Sequence, residues 1–179
     1  MMHLLIFVAA YVAVVVIAFA VYLIRYRKKD EQRKLNQAAE RIVREDMLRY
    51  SLRNPYADAG NRPIPASRRR MLCITIKTDG KKHRYVFDPE KQVSVGRSDK
   101  NQIIIYDAAV SERQALIYVS AGKVCVRNTG NTRRIRLKRG GRQTAISAGG
   151  SAVLRDGDVL RIGAHELNIK LFRFDFNHK

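Results

Sequence analysis

Three hydrophobic patterns follow one another along the chain. From Leu4 to Ile24 the sequence reads LLIFVAAYVAVVVIAFAVYLI, 21 residues without a charge. A helix of that length rises roughly 31 Å, the thickness of a hydrocarbon core. The pattern predicts a transmembrane helix, with residues 1–24 as a membrane anchor. Tyr22 sits near one end of the run, where an aromatic ring favours the membrane interface. Arg25, Arg27, Lys28 and Lys29 follow at once. Basic residues directly after a span hold that side in the cytoplasm, so the N-terminus is expected outside and the rest of the chain inside. A cleaved signal peptide has the opposite order, with basic residues before a shorter apolar run.

The second pattern is helical but amphipathic. Residues 28–51 contain no Pro or Gly, and Leu35, Ala38, Ala39, Ile42, Val43, Met47 and Leu48 recur at roughly helical spacing. A basic juxtamembrane helix is expected over residues 25–51. It fits a continuation of the membrane helix, a helix lying on headgroups, a pairing surface or a charged spacer. Residues 52–70 then carry Pro55, Gly60, Pro63 and Pro65 with no hydrophobic period, which predicts a flexible linker. Arg68, Arg69 and Arg70 close it as a solvated charge run.

From Met71 the period changes to two. Strands are expected at 72–77, 83–87, 92–95, 102–105, 115–119, 123–127, 134–138, 151–154, 158–162 and 166–172. Asp79-Gly80, Ala121-Gly122, Asp156-Gly157 and Gly163-Ala164 supply turns. No segment of helical length interrupts them. The expected fold is an all-β, antiparallel β-sandwich over residues 71–175, with a short tail at 176–179.

Charge sharpens this division. The chain of 179 residues carries 35 Lys and Arg against 16 Asp and Glu, a net of +19. Residues 25–70 account for +8 and residues 71–179 for +11. Such an excess favours polyanionic surroundings and says nothing about fold. The two cysteines, Cys73 and Cys125, alternate with apolar neighbours and are expected as reduced core thiols. The histidines, His3, His83, His165 and His178, are scattered. No phosphate-binding glycine loop, nucleophile motif or metal-ligand spacing is present, so no enzyme activity, cofactor or metal is expected.

One order of motifs is specific. Val95-Gly96-Arg97-Ser98 ends a strand, and Asn101 precedes Ile103, Ile104 and Ile105. Asp107 leads to Val110-Ser111 and Ala115, and LRDGDVLRIG closes the series at 154–163. This series resembles the forkhead-associated (FHA) domain, whose pattern runs G-R-x-x-x-N-x-I, V-S-R-x-H-A, an N-G loop, then L-x-x-G-D-x-L-x-I-G. The resemblance covers about residues 72–173. It implies a sandwich whose loops at one end bind phosphothreonine in a partner protein. On the matching positions it implies that Arg97 contacts or orients the phosphopeptide site and that Ser111 donates to the phosphate. Arg113 is a further basic candidate, and Asn131 is the nearest equivalent of the asparagine that holds the peptide backbone. Planar guanidinium and charge-assisted donors on preformed loops suit a phosphate dianion.

The sequence departs from the family pattern at this site. Ser111-Glu112-Arg113-Gln114-Ala115 stands where the family has S-R-x-H-A, so Glu112 occupies a basic position and Gln114 a histidine position. Asn131 is followed by Thr132 rather than glycine. Arg133, Arg134, Arg136, Lys138, Arg139 and Arg142 form a basic run in which alternation puts several cations on one face. That face fits an acidic partner, anionic headgroups or a solvated edge. Two functions follow: docking of phosphothreonine-containing partners downstream of a Ser/Thr kinase, or a phosphate-independent subunit of a membrane assembly in envelope, division or secretion. The basic juxtamembrane segment adds a contact with anionic lipid. Without aromatic stacking positions, nucleic acid is not an expected partner.

Overall fold

The computed structural model describes residues 2–53, 68–78, 81–131 and 134–175, without the side chains of 2–10, 50–53 and 68. The chain divides into two compact units, Met1–Ala38 and Ala39–Lys179. A single helix, α1, runs Met2–Arg53. Nothing in that stretch breaks a helix, since the first proline is Pro55 and the first glycine Gly60.

In the first unit the apolar positions of α1 from Tyr11 to Ile24 are exposed, Val14, Val16, Ile17, Phe19 and Tyr22 among them. Among the described residues no helix is long and apolar enough to cross a membrane. The described side chains begin at Tyr11, which leaves 14 residues of the uncharged run, up to Ile24. That is roughly 21 Å of helix, short of a hydrocarbon core. The transmembrane expectation therefore has no support from the described residues.

In the second unit the end of α1 carries ion pairs one turn apart, Arg44 to Glu40 at 2.7 Å and Arg49 to Glu45 at 2.6 Å. Exposed pairs of this kind add only tenths of a kcal/mol to helix stability. Ala39 and Val43 are buried, and Asp46 pairs with Lys91, so this part of the helix is packed within the unit. The linker expected after it lies mostly outside the described residues.

Eleven described strands follow: β1 (Arg68–Thr78), β2 (Lys81–Phe87), β3 (Val93–Gly96), β4 (Ile103–Ile104), β5 (Ala115–Ser120), β6 (Lys123–Asn128), β7 (Ile135–Arg139), β8 (Arg142–Ile146), β9 (Ser151–Val153), β10 (Val159–Ile162) and β11 (His165–Asp175). They form a six-stranded sheet in the order β2-β1-β11-β10-β7-β8 and a five-stranded sheet in the order β4-β3-β5-β6-β9. The pairings described are antiparallel except for β3 and β4, which run parallel. The sandwich is therefore mixed rather than purely antiparallel. Its core collects the inward positions of both sheets, including Leu72, Ile74, Val95, Ile117, Val126, Leu160 and Leu167. Each such side chain contributes about 1.5–3 kcal/mol of burial, the main term against chain entropy.

Three differences from the sequence expectation have physical causes. Arg68–Arg70 are strand residues paired with Arg173–Asp175. Arg69 meets the buried carboxylate of Asp88 at 3.2 Å, and Arg70 donates to the Gly122 carbonyl at 2.8 Å. Partners distant in sequence thus turn a charge run into structure. Strand β8, RQTAI, shows no apolar alternation because it is an edge strand exposed at all but Ile146. Cys73 is buried, but on the face of its sheet that points away from the core, beside Met71. The Asp79-Gly80 turn lies outside the described residues, although Thr78 pairs with Lys81 across it.

The far end of β7 holds a partly buried ion pair. Arg139 donates through Nε and Nη2 to the two oxygens of Asp158, both at 2.7 Å. The Arg155 amide donates to the same carboxylate at 2.7 Å. Burial alone would raise the Asp158 carboxyl, but these donors outweigh it and hold it below the usual carboxylate range. The same hydrogen bonds raise Arg139. Arg139 therefore leaves the basic run and becomes a structural residue.

Candidate functional site

At the opposite end of the sandwich the loops after β3, β4 and β6 converge. Gly96 starts the first of them. A methyl group there would collide with the Glu112 carbonyl and lie 2.9 Å from the Arg113 Cα. Only glycine lets the two backbones come so close. The contact fixes the register of the two loops: the Arg97 amide donates to the Ser111 carbonyl at 3.0 Å, and the Ser98 amide to the Glu112 carbonyl at 3.1 Å. Asn101, buried, ties the same loops together by donating Nδ2 to the carbonyls of Ser98 and Glu112, at 2.8 and 2.7 Å.

A second lock sits beneath. Gln114 is 1% exposed and Asn128 fully buried. The Gln114 Oε1 accepts from the Ser111 amide at 3.1 Å, and its Nε2 donates to Asn128 Oδ1 at 2.9 Å. Asn128 donates in turn to the Ile146 carbonyl at 2.9 Å, and its Oδ1 also accepts from the Gly130 amide at 3.1 Å. Buried amides with their hydrogen bonds made hold a loop; left unmade, each costs about 1–3 kcal/mol. Gly130 packs closely over this lock, where an added methyl group would lie 2.8 Å from the Ser111 Oγ. Thr129 Oγ1 donates to the Arg113 carbonyl at 3.2 Å.

Three of the four expected site residues are thereby brought together. Arg97 and Ser111 are joined through the backbone, and the Arg97 Nε makes a long hydrogen bond to the Val110 carbonyl at 3.4 Å. Arg113 stands one residue from Gln114, with its side chain exposed. Asn131 is an exposed residue beyond Gly130 and is not joined to the others by a described hydrogen bond. The asparagine that organises this loop is Asn128. Its signal in the sequence was an asparagine ending an alternating strand two residues before a glycine. Tyr106, 83% exposed on the β4–β5 connection, is a further site-side residue that alternation did not point to.

The arrangement offers a hydroxyl at Ser111 and guanidinium groups at Arg97 and Arg113 on preformed loops. Glu112 is exposed between them in sequence. This is anion-receiving chemistry with one opposing charge. Among the described residues no group of three or more His, Cys, Asp or Glu side chains converges as a metal site. Residues 93–163 match the family model described as the FHA domain. The chain contains an FHA domain.

Solved structures resemble the FHA domain at low identity. EmbR of Mycobacterium tuberculosis in complex with a low-affinity phosphopeptide is 19% identical with a TM-score of 0.46, over 55% of this chain and 24% of that one. This chain thus spans about a quarter of EmbR. The FHA domain of CT664 from Chlamydia trachomatis is 17% identical with a TM-score of 0.47, over 56% and 96%. The FhaA FHA domain complexed with the intracellular domain of Rv3910 is 21% identical with a TM-score of 0.45, over 56% and 99%. No curated protein matches the chain.

Proposed function

We propose that this protein is a membrane-held recognition module whose FHA domain docks phosphothreonine-containing partners downstream of a Ser/Thr kinase. It works by binding and scaffolding, without catalysis. The observation that carries this reading is the Gln114–Asn128 lock, which orders the Ser111 and Gly130 backbones although the family histidine is gone. A site prepared before the ligand arrives loses less entropy on binding. Arg97 and Ser111 receive the phosphate, Arg113 assists, and Asn131 contacts the peptide.

Membrane attachment rests on the uncharged run Leu4–Ile24 and the four basic residues at 25–29, with the N-terminus outside and the FHA domain cytoplasmic. Resistance to carbonate extraction, with the C-terminus protected from external protease in intact cells, tests it. Release of the chain by carbonate sinks it.

The docking test is isothermal titration of the full chain with one matched peptide pair, phosphothreonine against threonine. Discrimination of at least about tenfold supports docking, and equal affinity across a phosphothreonine library removes it. Glu112 favours a second reading, a phosphate-independent subunit of a membrane assembly. That reading predicts no discrimination by wild type and a gain of it in Glu112→Arg.

A further inference from the structure

The six-stranded sheet presents a row of charge on the face away from the core. Leu72, Ile74 and Ile76 of β1 point inward, so Lys77 points outward, and its register partner on β2 is Lys82. On β10, Leu160 and Ile162 point inward, so Arg161 points outward; its register partners are Arg136 on β7 and Glu166 on β11. Glu166 and Lys77 each stand one step past the Leu167–Ile76 pair. One row crossing five strands therefore reads Lys82, Lys77, Glu166, Arg161, Arg136, all exposed. At about 4.8 Å between strands the row is roughly 19 Å long.

Two adjacent pairs in this row, Lys77–Lys82 and Arg136–Arg161, are like-charged and directly opposite, an arrangement that destabilises a sheet. None of these four cations is in an ion pair among the described residues. Lysine on edge strand β2 guards against sheet-to-sheet aggregation. That explanation fails for Arg136, Arg161 and Lys77, which sit on interior strands β7, β10 and β1. Repulsion retained in the interior of a sheet points to a ligand that relieves it.

We propose that this row docks an extended acidic segment of a protein partner. The next row reads Arg84, Thr75, Asn168, Val159, Lys138, with charge only at its two ends, so the charge running through the middle of the face belongs to the first row. A line of cations matches a strand-like polyanion better than a headgroup plane, which would use the whole face. The row also lies at the loop end of the sheet: Arg136 follows the β6–β7 connection, and the β10–β11 turn at Gly163 contacts Asp107 and Val110. A partner held at the loops can reach it. The proposal stands apart from phosphate recognition and needs no contribution from Arg97.

The experiment uses the full chain in phosphatidylcholine nanodiscs and four peptides: phosphothreonine or threonine, each joined to six acidic or six neutral residues. The acidic run should tighten binding about tenfold at low salt, with or without phosphate, and the gain should fade at high salt. It should vanish in the Lys77→Gln, Lys82→Gln, Arg136→Gln, Arg161→Gln variant, persist in Arg97→Ala, and grow in Glu166→Lys. The quadruple variant should melt no lower than wild type, because it removes repulsion; if it melts lower, the Glu166→Lys gain alone decides. An acidic run that gains nothing, or gains as much in the quadruple variant, overturns the proposal. So does a gain abolished in wild type by adding about 30% phosphatidylserine to the discs, which would make headgroups the occupant. Failure of phosphate discrimination with the acidic gain intact removes the docking function and leaves this surface standing.

Discussion

Arg139 and Arg97 stand at opposite ends of the same sandwich and meet opposite fates. Arg139 gives two hydrogen bonds to Asp158, whose side chain is 1% exposed, and a backbone amide completes the carboxylate's shell. Arg97 has one long bond to a carbonyl and an exposed side chain. The first end spends its charge internally and needs no ligand. The second end holds its backbone tightly, through Gly96, Gln114 and Asn128, and leaves its charged tips toward solvent. A rigid backbone beneath uncommitted side chains is how the candidate site differs from a structural ion pair of the same residue types.

The largest effect is expected from the lock beneath the loops. Asn128→Ala removes three buried hydrogen bonds and should cost about 3 kcal/mol, read as a lower urea midpoint. Peptide affinity should fall with it. An unchanged midpoint would mean the loops are held by something other than Asn128.

At the other end, Arg139→Ala leaves Asp158 buried and short of its partner, at about 2 kcal/mol; the figure is below that of a fully buried pair because Arg139 is partly exposed. The pH dependence has a definite sign. Because the folded Asp158 carboxyl is lowered, its contribution is complete above the ordinary carboxylate value of about 4 and is lost as pH falls through the folded value. The stability gap between wild type and Arg139→Ala should therefore narrow as pH drops below about 4. A gap that is constant from pH 7 to 3 would show that Asp158 titrates no differently in the two proteins.

Arg97→Ala should do the reverse of Arg139→Ala. Its midpoint should move by less than about 0.5 kcal/mol, while phosphopeptide affinity should drop by about 1.5 kcal/mol, roughly tenfold. A large stability loss would make Arg97 a second Arg139. The smallest effect belongs to Glu112→Arg, which should tighten phosphopeptide binding by about 1 kcal/mol and more at low salt. Insensitivity to salt would place Glu112 away from the ligand.

Most of the sandwich was legible because burial imposes a period close to two on β5, β7, β10 and β11. It failed at β8, where an exposed edge strand needs no apolar face, and at Arg68–Arg70, whose partners Asp88 and Gly122 are distant in sequence. In the site, Gly96, Arg97 and Ser111 were legible as a motif. Asn128 was not, because an asparagine looks the same in sequence whether it is buried in a strand end or exposed in a turn like Asn131. Arg139 shows the converse: six basic residues in a run read as one surface until a distant aspartate claims one of them.

Gln114 has a consequence for the conditions under which the loops keep their shape. A histidine at that position would gain a second N–H when protonated near pH 6.5 and lose its acceptor. The glutamine amide offers one acceptor to the Ser111 amide and one donor to Asn128 at any pH the protein survives. The latch under the loops is thus blind to acidification. Any pH response of ligand binding should come from the phosphate itself, whose second proton binds near pH 6.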